Sequence, residues 1–167
     1  LLPMTRAVNK QLLHIYDKPM IYYPLSTLML AELGHPDNKQ LDAQPGFKKL
    51  LGTGENLGLK ISYAEQKEPN GIAEAFIIGE EFIDGNPCAL IVGDNLFHGH
   101  GLSNLLTEAA QLKLGARIFT NWVSDPERYG VAHFDNSENI IGLNEKPKKP
   151  LSNWAVVGIY FFDNKVS

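Results

Sequence analysis

The chain has 167 residues, of which 44% are hydrophobic and 20% are charged, a composition typical of a globular protein. Its net charge of −4 offers no basic face for a nucleic-acid backbone, and no apolar run approaches the roughly 20 residues of a membrane span. We therefore expect neither a nucleic-acid partner nor a membrane role.

The length suits one domain over residues 1–167. The single cysteine, Cys88, argues against a disulfide framework and fits a reducing, cytoplasmic setting.

The first third of the chain combines a cationic loop with one helix. Residues 1–20 lack a periodic pattern and carry Arg6, Lys10 and Lys18. Apolar residues at helical spacing predict a helix over 20–33. Residues 34–46 have no period and few apolar anchors, which predicts a loop.

The middle of the chain alternates short apolar runs with amphipathic stretches. Such an alternation is typical of a parallel, layered α/β sheet. The predicted helices are 47–51, 71–83 and 102–114, and the predicted strands are 59–66, 88–92 and 117–123.

The last third contains strands without helices between them. The patterns at 131–134, 140–143 and 154–162 predict strands separated by turns, which indicates an antiparallel or mixed extension of the sheet.

Asp94 follows the apolar run 88–92, which is bounded by proline and glycine and predicts a fully buried strand. Ligands of open α/β sheets lie outside the carboxyl ends of the strands, so Asp94 is a candidate for substrate chemistry. A turn aspartate that bonds its own backbone is the alternative.

Other charged groups follow strands or lie in loops. A carboxylate such as Asp94 or Glu145 suits Mg²⁺, which takes one or two protein carboxylates plus substrate phosphates. Lys146 beside Pro147 would be a fixed cation for a phosphate, and Lys10 is a second candidate. The alternatives are a solvated charged turn and a solvated arm.

His98 and His100 are close enough to share a metal ion, but no cysteine and no second histidine cluster completes a tetrahedral set. Motifs for acyl transfer and hydride transfer are absent from the sequence.

Six strings in order along the chain resemble the glucose-1-phosphate thymidylyltransferase family of sugar nucleotidyltransferases. They are NKQLL at 9–13, YDKPMIYYPL at 16–25, IIGEEFI at 77–83, VGDN at 92–95, DPERYGV at 125–131 and NEKP at 144–147.

The resemblance implies a Rossmann-like, three-layer α/β core with a mixed sheet. It implies that dTTP (or UTP) and α-D-glucose 1-phosphate are joined with release of pyrophosphate, in a Mg²⁺-dependent reaction that opens dTDP-L-rhamnose synthesis. The family is usually tetrameric, so the resemblance also implies a homotetramer.

The same resemblance implies roles for individual residues. Asp94 resembles the Mg²⁺ ligand, and Lys10 and Gln11 resemble contacts to the nucleotide phosphates. Gln66 and Gly71 resemble the pair that reads the pyrimidine base. Gly130, Glu145 and Val157 resemble groups that line the sugar, and Lys146 resembles the cation on the sugar phosphate.

Three family segments have no counterpart in the sequence: a Gly-rich loop ahead of Leu1, a strand where residues 34–46 stand, and a second Mg²⁺-binding aspartate after Ser167. We expect a longer protein, which an intact mass near 18.5 kDa would refute. A chain of only this length should lack transferase activity. Runner-up functions are a transferase for another nucleotide and sugar phosphate, and a non-catalytic module that binds nucleotide sugars.

Overall fold

The computed structural model describes residues 8–31, 37–40 and 45–166, and for residues 37–40 it describes the backbone alone. Arg6 and the remainder of the predicted loop at 34–46 lie outside this range. The helices are α1 (Tyr22–Leu30), α2 (Pro45–Leu51), α3 (Glu74–Ile78), α4 (Glu80–Ile83) and α5 (Leu102–Ala110). The strands are β1 (His14–Ile15), β2 (Lys18–Pro19), β3 (Asp37–Gln40), β4 (Lys60–Tyr63), β5 (Cys88–Ile91), β6 (Ala116–Trp122), β7 (Gly130–Phe134), β8 (Ile140–Glu145) and β9 (Trp154–Phe162).

Strand β3 corrects the prediction of a loop over residues 34–46. Its four residues pair in parallel with β4, from Asp37 opposite Lys60 to Gln40 opposite Tyr63. Helix α2 also begins at Pro45, inside the predicted loop. The strand was missed because DNKQ has no apolar pattern, whereas its backbone groups need only the edge of β4 to form ladder hydrogen bonds.

The large sheet is organised around β9, which pairs with β5, β6 and β7, while β8 extends the sheet beyond β7. All of these pairings are antiparallel. Strands β5 and β6 therefore run in the same direction but lie on opposite edges of β9. The expected antiparallel or mixed extension is confirmed, while the expected parallel pairing through the middle of the chain is wrong in this sheet.

Helices cover both faces of the sheet at β9. Ile159 and Phe161 pack with Leu106 and Ala109 of α5 in one buried cluster. Side chains alternate along a strand, so the neighbouring Phe162 points to the opposite face, where its ring meets that of Phe76 in α3 at 5.0 Å. This layering is the α/β class that the sequence predicted.

A second buried cluster lies between α1, α2 and β4. Its members include Leu25 of α1, the fully buried Phe47 of α2 and Ile61 of β4. Burial of a side chain such as Phe47 stabilises the fold by about 1.5 to 3 kcal/mol. Helix α1 serves both clusters, because Ala31 at its carboxyl end packs with Leu106 and Phe161.

The helix predicted over 71–83 is divided at Gly79 into α3 and α4. The Gly79 backbone has φ −90° and ψ 0°, and its N–H donates to the Ala75 carbonyl at 2.8 Å. A Cβ atom at this position would lie 2.7 Å from that carbonyl oxygen. A glycine is therefore required where the two short helices meet.

The strand before Asp94 is also less buried than predicted. Residues of β5 are half-buried, because β9 covers one edge of β5 and no second strand pairs with it among residues 8–31, 37–40 and 45–166.

The two longest helices in these ranges have nine residues each, and no helix there could cross a membrane.

Candidate functional site

Asp94 lies in the turn after β5, three residues beyond the end of the strand, and its carboxylate Oδ2 forms an ion pair with Lys10 Nζ. Lys10 begins a short 3₁₀ helix, Lys10–Leu12, whose first turn is capped by Asn9: Gln11 N–H donates to Asn9 Oδ1 at 2.9 Å. The structure therefore brings together two predicted phosphate-site residues that are 84 positions apart in sequence.

Gln11 lies directly against the backbone of Gly93. A Cβ atom at Gly93 would meet Gln11 Oε1 at 2.7 Å, so a larger residue at this position would displace the end of the Gln11 side chain. Gln11 Oε1 is buried and has no hydrogen-bond partner within the described part of the chain. The end of the Gln11 side chain is therefore enclosed where the two segments meet.

The geometry of β9 explains why Asp94 and the β7–β8 residues belong to one region. Val92 N–H donates to the Gly158 carbonyl at 2.8 Å, while Val131 of β7 lies opposite Ala155. Strand β6 occupies the other edge of β9 over the same length, so β5 and β7 follow each other along one edge. Asp94 thus leaves the sheet close to the point where Gly130 enters it.

Glu145 and Gly130 are paired across β7 and β8, and a Cβ atom at Gly130 would lie 3.0 Å from Glu145 Oε2. Burial, and secondarily the negative charge of Glu145, raises the pKa of Tyr160 on β9. Glu145 is therefore near enough to β9 for its charge to influence the ionisation of Tyr160.

Lys146 follows Glu145 in a left-handed backbone conformation with φ 43°. Its N–H donates to the Tyr129 carbonyl at 2.9 Å, and its Nζ lies 3.4 Å from Glu145 Oε1. Its side chain is 65% exposed, so this cation contacts Glu145 and solvent. The structure pairs Lys10 with Asp94 but pairs Lys146 with Glu145.

Gln66 and Gly71 form the third predicted group, in the loop between β4 and α3. Gln66 Nε2 donates to the Gly71 carbonyl at 3.0 Å and to Glu74 Oε2 at 2.5 Å. Gly71 has φ +98°, a conformation that favours glycine. The two residues that were predicted to read a base are therefore in direct contact.

Val157 points away from this region, because its side chain packs against the buried cluster of α5 and β9.

Two glycines near the site were not singled out from the sequence. Gly93 lies against Gln11, and a Cβ atom at Gly158 would come within 2.7 Å of Val92 Cγ2. In the sequence, Gly158 lies between two apolar residues of the predicted strand 154–162, and Gly93 lies between Val92 and Asp94. A glycine at these positions is the one signal that could have indicated the close approaches.

Glu74 was also missed, because a glutamate in the first turn of a helix is an ordinary stabilising choice. Asn70 Nδ2 donates to Glu74 Oε1 at 2.9 Å. Hydrogen bonds from Asn70 and Gln66 lower the pKa of Glu74, so its carboxylate is ionised at neutral pH.

Metal-ligating side chains are sparse in the region. Among the residues that the structure describes, no group of three His, Cys, Asp or Glu side chains could hold a metal ion. His98 and His100 are both exposed. A preformed zinc site is therefore absent from the described ranges.

An α/β fold with charged side chains at strand ends is an arrangement that suits a phosphorylated ligand, and comparison with known proteins assigns the family. The family model described as "Nucleotidyl transferase" matches residues 1–167, and the chain belongs to this family.

Individual relatives narrow the comparison. The chain is 50% identical over 173 residues to "Glucose-1-phosphate thymidylyltransferase" of Xanthomonas campestris pv. campestris (strain B100), covering 100% of this chain and 57% of that protein. A crystal structure from Bacillus anthracis, named for the same enzyme and solved with a sucrose, has 34% identity and a TM-score of 0.88, covering 99% of this chain and 67% of that one.

A UDP-glucose pyrophosphorylase complexed with UDP-glucose is similar at 25% identity and a TM-score of 0.73, covering 98% of this chain and 71% of that one. The chain thus spans little more than half the length of the Xanthomonas relative.

Proposed function

We propose that the protein transfers a thymidylyl group from dTTP to α-D-glucose 1-phosphate, giving dTDP-glucose and pyrophosphate. The observation that carries the proposal is the 50% identity, over the whole chain, to a protein named glucose-1-phosphate thymidylyltransferase. The contact between Lys10 and Asp94 beside β9 supports it. We further propose that this reaction is the first step of dTDP-L-rhamnose synthesis.

The chemistry of this transfer suits the residues present. An oxygen of the sugar phosphate attacks the α-phosphorus of dTTP, a new P–O bond forms, and the bond to the β-phosphate oxygen breaks to release pyrophosphate. Two anions must approach each other, so the side chains contribute mainly by positioning and by charge neutralisation. Lys10 and Gln11 would contact the nucleotide phosphates at the end of β5.

Mg²⁺ fits Asp94, but only as an ion that arrives with substrate. Magnesium commonly takes one or two protein carboxylates and completes its shell with waters and phosphate oxygens. Asp94 is 25% exposed and offers one carboxylate at the strand end. When bound, the ion would neutralise charge on the shared phosphates, and release of Asp94 from Lys10 would leave the ammonium group for a phosphate oxygen.

The sugar phosphate would occupy the side of β9 that Gly130 and Glu145 border. Glu145 would accept hydrogen bonds from sugar hydroxyls, and Lys146 would contact the phosphate after separating from Glu145. The Val157 side chain is packed in the core, so its contribution to the sugar would come from its backbone.

The proposal is tested by measuring pyrophosphate release from the full-length protein. Each of dTTP, UTP, CTP and ATP is paired with glucose 1-phosphate or another sugar phosphate. We expect the highest kcat/KM with dTTP and glucose 1-phosphate. A preference for UTP would favour the alternative function that the pyrophosphorylase similarity supports. A preference for ATP would contradict both.

Calorimetry with dTDP-glucose separates a transferase from a non-catalytic module. Binding accompanied by turnover supports the enzyme, whereas binding without turnover identifies a module that holds a nucleotide sugar. We further propose a cytoplasmic homotetramer, to be checked by sedimentation of the purified protein and by cell fractionation.

A further inference from the structure

The amide group of Gln66 is held by two groups that can only accept hydrogen bonds. Its Nε2 donates to the backbone carbonyl of Gly71 and to the carboxylate of Glu74. Both partners reject the amide oxygen, so the orientation of this side-chain amide is determined by chemistry. Gln66 Oε1 must therefore point away from Gly71 and Glu74.

Glu74 is itself held in place from a second side. Its other oxygen, Oε1, accepts a hydrogen bond from Asn70 Nδ2 at 2.9 Å. These two hydrogen bonds lower the pKa of Glu74, and the ionised carboxylate can only accept hydrogen bonds. Glu74 lies in the first turn of α3, and Phe76 of the same helix contacts Phe162 of the sheet, so the carboxylate is attached to the core.

The exposed end of the Gln66 amide is consequently an acceptor. Gln66 Oε1 accepts no hydrogen bond from the residues that the structure describes. Thymine and uracil carry an N–H at the imide nitrogen, whereas cytosine has an unprotonated acceptor there. An acceptor fixed in space pairs with the first two bases and opposes the third.

We propose that Glu74 is a positioning residue that sets base selectivity, because it fixes the Gln66 amide with Oε1 toward the base and so favours an imide-bearing pyrimidine over cytosine. This inference rests on the proposed function, in which Gln66 and Gly71 read the base. It extends that function by naming the residue that orients the base-contacting side chain of Gln66.

Loss of Glu74 removes the charged acceptor of the two groups that hold Gln66 Nε2, and only the Gly71 carbonyl then opposes rotation of the amide. In the rotated form Nε2 faces the base. It can donate a hydrogen bond to the cytosine ring nitrogen, just as Oε1 in the original form can accept one from the imide N–H of thymine. We therefore expect Glu74→Ala to lower the ratio of kcat/KM for dTTP to kcat/KM for dCTP by about tenfold. The change should come from a higher KM for dTTP, with a smaller effect on kcat.

The experiment compares the wild type with Glu74→Ala, Glu74→Gln and the control Glu81→Gln, with glucose 1-phosphate as the second substrate. Glu74→Gln keeps an acceptor oxygen and should retain part of the selectivity, which guards against a folding defect in the alanine variant. Glu81 is an exposed glutamate of α4, and its substitution should leave the ratio unchanged.

An unchanged dTTP-to-dCTP ratio in both Glu74 variants would overturn the inference, as would a wild type that does not discriminate between these nucleotides. Absence of turnover in the wild type would refute the proposed function instead. Calorimetric affinities for dTTP and dCTP would then decide the inference by the same ratio.

Discussion

At the scale of single residues, the ion pair between Asp94 and Lys10 could not be predicted from the residues that flank either of them. Lys10 begins a short 3₁₀ helix, and Asp94 lies in a turn after a half-buried strand. Their contact arises because Gln11 packs against Gly93 and thereby brings the two segments together. The proposed metal and phosphate chemistry depends on that approach.

Substitution of Asp94 by asparagine tests the metal role, since it keeps the shape of the side chain but removes its charge. We expect kcat at saturating Mg²⁺ to fall by more than about tenfold, equivalent to ~1.4 kcal/mol. The matched control is Asp84→Asn in the exposed turn before β5, which should leave the rate unchanged. A smaller loss at Asp94 would remove the metal role assigned to it.

Lys146→Ala should weaken binding of the sugar phosphate, because the variant lacks the ammonium group proposed to contact the phosphate. We expect the KM for glucose 1-phosphate to rise by roughly tenfold, as for loss of a hydrogen bond to a charged group. Lys148→Ala, an exposed lysine of the same turn, is the control. Unchanged KM and kcat in Lys146→Ala would assign this residue to the solvated turn.

At the scale of elements, β9 and α5 provide the support for the site. Leu106 and Ala109 of α5 are fully buried against Ile159 and Phe161 of β9. Gly158 lies between Val157 and Ile159 on β9, and it is in close contact with Val92 just before the turn that carries Asp94. A shift of β9 would therefore move that turn.

Leu106→Ala should reduce the free energy of unfolding by about 2 to 5 kcal/mol, since it removes a buried side chain and leaves a cavity. Leu105→Ala is a close control, because the neighbouring leucine on the same helix is 49% exposed. Urea denaturation of both variants measures the difference. Equal losses would mean that α5 does not pack on β9 as described.

Asp163 joins the end of β9 to the start of β6. It accepts hydrogen bonds from Gly115 N–H at 2.7 Å and Lys165 N–H at 2.9 Å, and these bonds lower its pKa below the usual value. A carboxyl group whose pKa is lower in the folded state stabilises the fold above the unfolded-state pKa of about 3.9. That contribution is lost as the pH falls through the folded-state pKa.

The melting temperature, measured from pH 6 to pH 2, should therefore fall less for Asp163→Asn than for the wild type. The variant lacks the carboxylate whose protonation destabilises the wild type. Asp135→Asn provides a comparison, since local hydrogen bonds from Asn139 and Ser137 also lower the pKa of Asp135. Parallel pH curves for wild type and Asp163→Asn would contradict the assignment.

At the scale of the whole molecule, the two buried clusters are connected through α1. Leu25 belongs to the cluster with α2 and β4, whereas Ala31 packs with α5 and β9. A helix that contributes to both clusters should couple their unfolding. We therefore propose that residues 1–167 form one folding unit.

Coincident unfolding curves would support that proposal. Trp122 and Trp154 both lie in the sheet around β9, so their fluorescence reports this part alone, while far-UV circular dichroism reports every helix. We expect the two signals to share one midpoint in urea. Separate midpoints would identify two independently folding parts.

Local pattern predicted the elements that carry their own apolar periodicity. Helices α1 and α5 and the strands of the last third lie inside the predicted ranges or close to them. The family resemblance grouped Gln66 with Gly71 and Gly130 with Glu145, and the two members of each pair are neighbours in the structure. Strand β3 was not predicted, because its side-chain pattern carries no signal of the partner that pairs with its backbone.

By itself the sequence determined the α/β class, the charge balance, the order of the elements and the residue types available for phosphate chemistry. Only the tertiary structure decided that β9 is shared by three strands, that Lys10 reaches Asp94 and that Gln66 donates a hydrogen bond to Glu74. Periodicity and capping depend on residues a few positions apart, whereas these contacts join groups whose distance along the chain is unrelated to their distance in space.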